Sequence, residues 1–182
     1  MKDMNIGVIG LGYVGKACLS FFEKNFNCFS YDINNSGSEI SIKKLVEKVD
    51  IIFLCLPTPM KQNGECDISI VENVLTQINQ LNVKISCVIK STIPPGTTQT
   101  FNNKFNNLRI IFNPEFLTEA NFIQDFENQE HIIIGDNNEK SIVNDLYELS
   151  FPDAKIINCD SKEAEMIKYI TNLFLATKVS FA

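Results

Sequence analysis

Seven short apolar runs, separated by polar or amphipathic stretches, constrain this chain more than any other feature. They are NIGVIG, NCFSYD, DIIFLCLP, SCVIKST, RIIFNP, EHIIIG and AKIINCD. All but the aromatic NCFSYD carry β-branched residues, and the runs are bounded by Gly, Pro, Asn or Asp, as are strands buried on both faces of a parallel sheet. Between them the periodicity predicts helices over 12–24, 40–48, 69–80, 97–106, 116–124, 139–149 and 161–182. Strand alternating with helix gives the α/β class: a doubly wound, Rossmann-type parallel sheet with helices on both faces.

The first predicted strand runs into GVIGLGYVGKA, which sets Gly10, Gly12 and Gly15 in G-x-G-x-x-G spacing where the first helix opens. Gly10 suits a tight turn, Gly12 the close approach of a pyrophosphate, and Gly15 tight helix–strand packing. The helix N-terminus offers unpaired N–H groups and a favourable dipole to that phosphate. Asp32 ends the second strand, where a carboxylate accepts hydrogen bonds from an adenosine ribose. That carboxylate repels a 2′-phosphate and no arginine lies nearby, so the expected cofactor is NAD rather than NADP. A purely structural glycine turn with a solvent-facing Asp32 is the competing reading.

The net charge of −6 disfavours nucleic acid and anionic membranes as partners. No apolar run approaches a membrane span, and no basic-then-apolar leader precedes the first strand. Six cysteines stand at 18, 28, 55, 66, 87 and 159 with no C-x-x-C pair, so no metal site is expected. Cys55 and Cys87 lie in apolar runs and read as buried free thiols. The expected setting is a reducing cytoplasm.

Three further clusters end predicted strands: CLPTP (55–59), KSTIPPGT (90–97) and NPEFLTEA (113–120). Ligands of open α/β sheets bind beyond the carboxyl ends of strands, so all three share an edge with the glycine loop. Taken singly, each is an ordinary loop; paired glutamates such as Glu115 and Glu119, one helical turn apart, usually line a solvated face. The last predicted helix begins at DSKE, with Asp160 or Ser161 as N-cap and Glu163 closing a capping box. Met166, Ile167, Ile170, Leu173, Phe174 and Thr177 recur at helical spacing, and no Gly or Pro follows. It is either a helix packed on the sheet or a connecting helix leading to a second domain. Lys168 and Asn172, at i and i+4, project from one side, with Glu165 beside them.

Together GVIGLGYVG, CLPTP, KSTIPPGT, NPEFLTEA, HIIIG and EAEMIKYITNLFLATKVSFA resemble the N-terminal part of the UDP-glucose/GDP-mannose dehydrogenase family, in family order and across nearly the whole chain. The resemblance implies NAD-dependent oxidation of a nucleotide sugar at C6, from alcohol to carboxylate in two hydride transfers, through a covalent cysteine adduct that water hydrolyses. It implies that Glu115 assists thioester hydrolysis, that Glu119 lies beside nicotinamide and substrate, and that Thr92 helps hold the water. Lys168 and Asn172 match the pair that stabilises the oxyanion and positions the sugar. Tyr13, Val14, Pro57, Thr58, Ser91, Thr92 and Glu119 join Gly10, Gly12, Gly15 and Asp32 as expected cofactor contacts.

The family's nucleophilic cysteine lies in a later region, and none of the six cysteines matches it. The expectation is therefore a truncated chain: residues 1–160 as the NAD domain and 161–182 as the start of a connecting helix, binding NAD without completing the oxidation. CLPTP and KQNGECDISIVE look closer to members acting on UDP-sugars than on GDP-mannose; UDP-glucose is the leading expectation, with UDP-N-acetylmannosamine or a related UDP-sugar as a rival. The full-length protein is expected to be a homodimer. Three departures stand out: a shortened stretch between Asp32 and VDIIFLCLP, Thr118 where arginine is common, and His131 likewise, to which no catalytic part is given. A β-hydroxyacid dehydrogenase and a non-enzymatic dinucleotide-binding module are the alternatives.

Overall fold

A computed structural model describes residues 4–34, 41–136, 138 and 140–181. The strands are β1 (Asn5–Ile9), β2 (Asn27–Tyr31), β3 (Ile51–Leu54), β4 (Ile85–Ile89), β5 (Leu108–Phe112), β6 (His131–Gly135) and β7 (Lys155–Cys159). The helices are α1 (Tyr13–Phe22), α2 (Ile42–Val46), α3 (Ser69–Asn79), α4 (Thr97–Lys104), α5 (Phe122–Glu127), α6 (Ile142–Ser150) and α7 (Ser161–Phe181). All seven predicted strands form, in one sheet of order β2-β1-β3-β4-β5-β6-β7. The start of the predicted 40–48 helix falls partly outside the described residues.

β3 is buried at every position, which is why its run reads as continuously apolar rather than alternating. On one face Leu45, Val71, Leu75, Ile78, Phe101 and Ala164 bring α2, α3, α4 and the start of α7 onto the sheet. On the other, Ala17, Phe22, Phe126, Val143, Leu146 and Tyr147 do the same for α1, α5 and α6. The sheet is therefore wound on both sides, with its topological switch between β1 and β3.

The structure corrects several expectations. The sheet is not wholly parallel: β6 runs antiparallel to β5, meeting it at the single pair Phe112–Gly135, and β7 follows β6 in parallel. The predicted helix 116–124 is displaced to Phe122–Glu127. The Leu117 N–H is taken by the Glu115 carboxylate at 2.8 Å, and the Thr118 N–H by Asp125 at 2.8 Å. Side chains thus satisfy the backbone where a helical ladder would have done so. Glu115 and Glu119 consequently share no helical face. Cys87 is buried as expected, but Cys55 is only partly covered.

The α7 cap matches the sequence pattern: Asp160 accepts from the Lys162 N–H at 2.8 Å, and Glu163 accepts from the Asp160 N–H at 3.1 Å. Packing on the sheet does not extend along the helix, since Ile170, Leu173 and Phe174 are 56 %, 68 % and 66 % exposed.

Candidate active site

The glycine turn is built from backbone collisions avoided. Gly10 has φ 92°, in the left-handed region, and its N–H donates to the Tyr31 carbonyl at 2.9 Å. A Cβ on Gly15 would lie 1.8 Å from the Gly10 carbonyl oxygen, so α1 folds back onto the loop only with glycine there. A Cβ on Gly12 would meet no protein atom within 4 Å. Gly12 is bare toward open space, which is where a ligand backbone would approach.

That space is a cleft of about 570 Å³ at the β1/β3 switch point. Gly10, Gly12, Tyr13 and Val14 form one wall, Asp32 one end, and Pro57 and Thr58 the opposite lip. Ser91, Thr92 and Glu115 complete it from the ends of β4 and β5. The lip is pinned to β4: Ser91 Oγ accepts from the Leu56 N–H at 2.8 Å, and Thr58 Oγ1 donates to the Thr92 carbonyl at 2.8 Å. Asp32 accepts from the Leu11 N–H at 2.6 Å and the Asn34 N–H at 2.8 Å, so its carboxylate also shapes the loop.

Beside the cleft, Lys168 Nζ donates to Glu115 Oε1 at 2.8 Å and to the Glu115 carbonyl, and lies 5.3 Å from the centre of the Phe116 ring. Lys168 is 5 % exposed. One turn earlier Glu165, fully buried, accepts from the N–H groups of Gly96 and Thr98 and from Thr98 Oγ1. It thereby caps α4 and anchors α7 against the Pro-Pro-Gly turn.

The remaining expected residues stand apart. Gly15 is buried beneath the loop, Glu119 is exposed in a turn, and Asn172 is exposed on α7. Lys90, absent from the expected set, lines the cleft at 1 % exposure. Its signal was present: a lysine continuing the apolar run SCVIK is a charge inside a buried strand. Burial holds its ammonium below the usual lysine range. Among the described residues no group of three or more His, Cys, Asp or Glu is placed to hold a metal, and no helix is long and apolar enough to cross a membrane.

The model of the UDP-glucose/GDP-mannose dehydrogenase family, NAD binding domain, matches residues 35–150, well over half the chain. The chain belongs to the UDP-glucose/GDP-mannose dehydrogenase family. The glycine turn precedes the matched span, but the relatives extend through it. A UDP-glucose 6-dehydrogenase of Campylobacter jejuni is 34% identical over 98% of this chain and 54% of its own length. Among solved structures, a UDP-glucose dehydrogenase from Pyrobaculum islandicum superposes with TM-score 0.85 at 27% identity, covering 98% of this chain and 51% of that one. A GDP-mannose dehydrogenase from Pseudomonas aeruginosa gives 0.83 at 27% identity with the same coverages. This chain thus spans about half the length of these relatives. Its cofactor is NAD, and the residues fit the dinucleotide: an uncapped α1 N-terminus behind a bare Gly12, with a carboxylate at the far end.

Proposed function

We propose that the chain is the NAD-binding part of a nucleotide-sugar 6-dehydrogenase acting on UDP-glucose. Residues 1–160 form the dinucleotide domain and 161–182 begin a helix connecting to further chain. The observation that carries the proposal is the ion pair of buried Lys168 with half-buried Glu115, brought by α7 to the same sheet edge as the glycine cleft. When bound, NAD supplies the hydride acceptor. Gly10, Gly12, Tyr13 and Val14 hold its diphosphate side, with Gly15 packing the turn from below. Asp32 takes the ribose, and Pro57, Thr58, Ser91 and Thr92 flank the nicotinamide side. Lys168 donates to oxygen as negative charge develops at the reacting carbonyl. Thr92 helps hold the hydrolytic water, and the Glu115 carboxylate takes its proton. Glu119 and Asn172, both exposed here, meet the cofactor and sugar from a side that further chain covers.

The nucleophilic thiol comes from outside these residues. In support, Cys87 and Cys28 are pushed up to about 12 by burial, and burial raises Cys18 and Cys159 as well. Cys66 is engaged with the Thr58 and Thr92 carbonyls, and Cys55, which lines the cleft, with the buried Cys18 thiol. These 182 residues alone therefore bind NAD without completing the oxidation. The protein works in the cytoplasm as a homodimer. A GDP-mannose or UDP-N-acetylmannosamine enzyme is the second reading, favoured by the likeness to the Pseudomonas aeruginosa structure.

The test is NADH formation by the full-length protein with each nucleotide sugar. UDP-glucose is expected to be preferred, with Lys168→Met lowering turnover about a hundredfold. Equal rates with GDP-mannose, or an unaffected Lys168→Met, contradict the proposal.

A further inference from the structure

Asn113 closes β5 and is 1 % exposed. Its side-chain oxygen accepts two hydrogen bonds, from Lys90 Nζ at 2.6 Å and from the Tyr147 hydroxyl at 2.5 Å. Its side-chain nitrogen donates to the Ile133 carbonyl at 2.7 Å, and its backbone N–H to the Ile89 carbonyl at 3.0 Å. One carboxamide thus joins β4, β5, β6 and α6. It does so where the sheet ladder is thinnest, beside the single β5–β6 pair. Two residues further on lies Glu115, whose carboxylate and carbonyl both hold Lys168.

Lys90 hydrogen-bonds to no anion in this network; the Glu115 carboxylate acts on it only through space. Its ammonium meets a neutral amide oxygen and the face of Phe126, 5.5 Å from the ring centre. A buried charge so placed is a poor way to stabilise a fold, because desolvation opposes it and a neutral acceptor compensates little. A methionine of similar length would satisfy the packing, and Tyr147 would still occupy the Asn113 oxygen. What the ammonium adds is a second, directional constraint on Asn113, and so on the backbone that presents Glu115.

We propose that Lys90, with Asn113 and Tyr147, is a positioning network that fixes Glu115 against Lys168, and that Lys90 serves this geometry rather than the stability of the domain. The consequence for turnover rests on the dehydrogenase reading above; the geometry does not.

The test is ¹⁵N NMR of the lysine ammonium groups in the 182-residue chain. Lys168→Arg assigns the Lys168 signal, and Glu115→Gln marks where it falls when the ion pair is lost. In Lys90→Met the signal is expected to move most of the way to that position while the melting temperature holds or rises. Tyr147→Phe should move it less, in the same direction. A Lys168 signal unmoved in a folded Lys90→Met chain overturns the proposal, as does a Lys90→Met chain that fails to fold while Tyr147→Phe leaves the signal in place. In the full-length protein Lys90→Met should lower kcat about tenfold and leave KM for NAD within about twofold. If the wild type oxidises no nucleotide sugar, the dehydrogenase reading fails and the NMR result still decides the positioning.

Discussion

The two halves of α7 invert the usual relation between polarity and burial. In the first half the buried residues are Ala164, Glu165 and Lys168. In the second, Leu173, Phe174, Leu175 and Val179 are more than half exposed. The carboxylate and the ammonium are inside because partners wait for them: the open N-terminus of α4 for Glu165, and Glu115 for Lys168. The leucines are outside because, among the described residues, nothing packs on that side. Burial follows the availability of a partner, and a helical apolar stripe says only that one is wanted.

Four substitutions bear on this contrast. Glu165→Ala should hurt most. It leaves two backbone N–H groups and the Thr98 hydroxyl without their acceptor, and should lower stability by roughly 3 kcal/mol in urea denaturation. Gly135→Ala tests the same half by packing. A Cβ there would stand 3.0 Å from both the Ala164 Cβ and the Ser161 Cα. Overpacking of this kind costs about 2 kcal/mol and should push the start of α7 off β6. Lys168→Met removes one partner of an ion pair whose other member, Glu115, keeps some contact with water. A loss of about 1 kcal/mol is expected on that account, smaller than for a fully enclosed pair. Phe174→Ser, in the far half, should change stability by less than about 0.5 kcal/mol. A loss near 2 kcal/mol at Phe174 would mean that the face is covered in solution, and would break the comparison.

The same contrast explains what was legible in the sequence. Most strands were readable because a β-branched run is local and its burial does not depend on register with any one partner; β2, NCFSY, was readable from its aromatics and its bounding Asn and Asp. The glycine turn was readable because the collision at Gly15 is with the nearby Gly10 carbonyl, although the one at Gly10 is with Cys55, from the distant end of β3. The displaced α5 was not, because Glu115 and Asp125 spend their carboxylates on backbone N–H groups that a helix would have paired internally. The reversal at β6 left no local trace, since an antiparallel neighbour does not alter the composition of a buried strand. Glu165 read as a neighbour of Lys168, yet its partners lie 67 residues or more away in the chain. Lys90 and Asn113 were the most accessible omissions, as polar residues ending apolar runs whose meaning needed each other.

Binding of NAD to this chain, followed by titration calorimetry on the wild type and on Gly12→Val, tests the central claim most directly. A Cβ at Gly12 meets nothing in the protein within 4 Å, so the fold should accept a side chain there while the dinucleotide does not. The account predicts that the wild type binds NAD at least about tenfold more tightly than NADP, and that Gly12→Val abolishes binding without changing the melting temperature. Undiminished NAD binding by Gly12→Val, or no binding by the wild type, would contradict it.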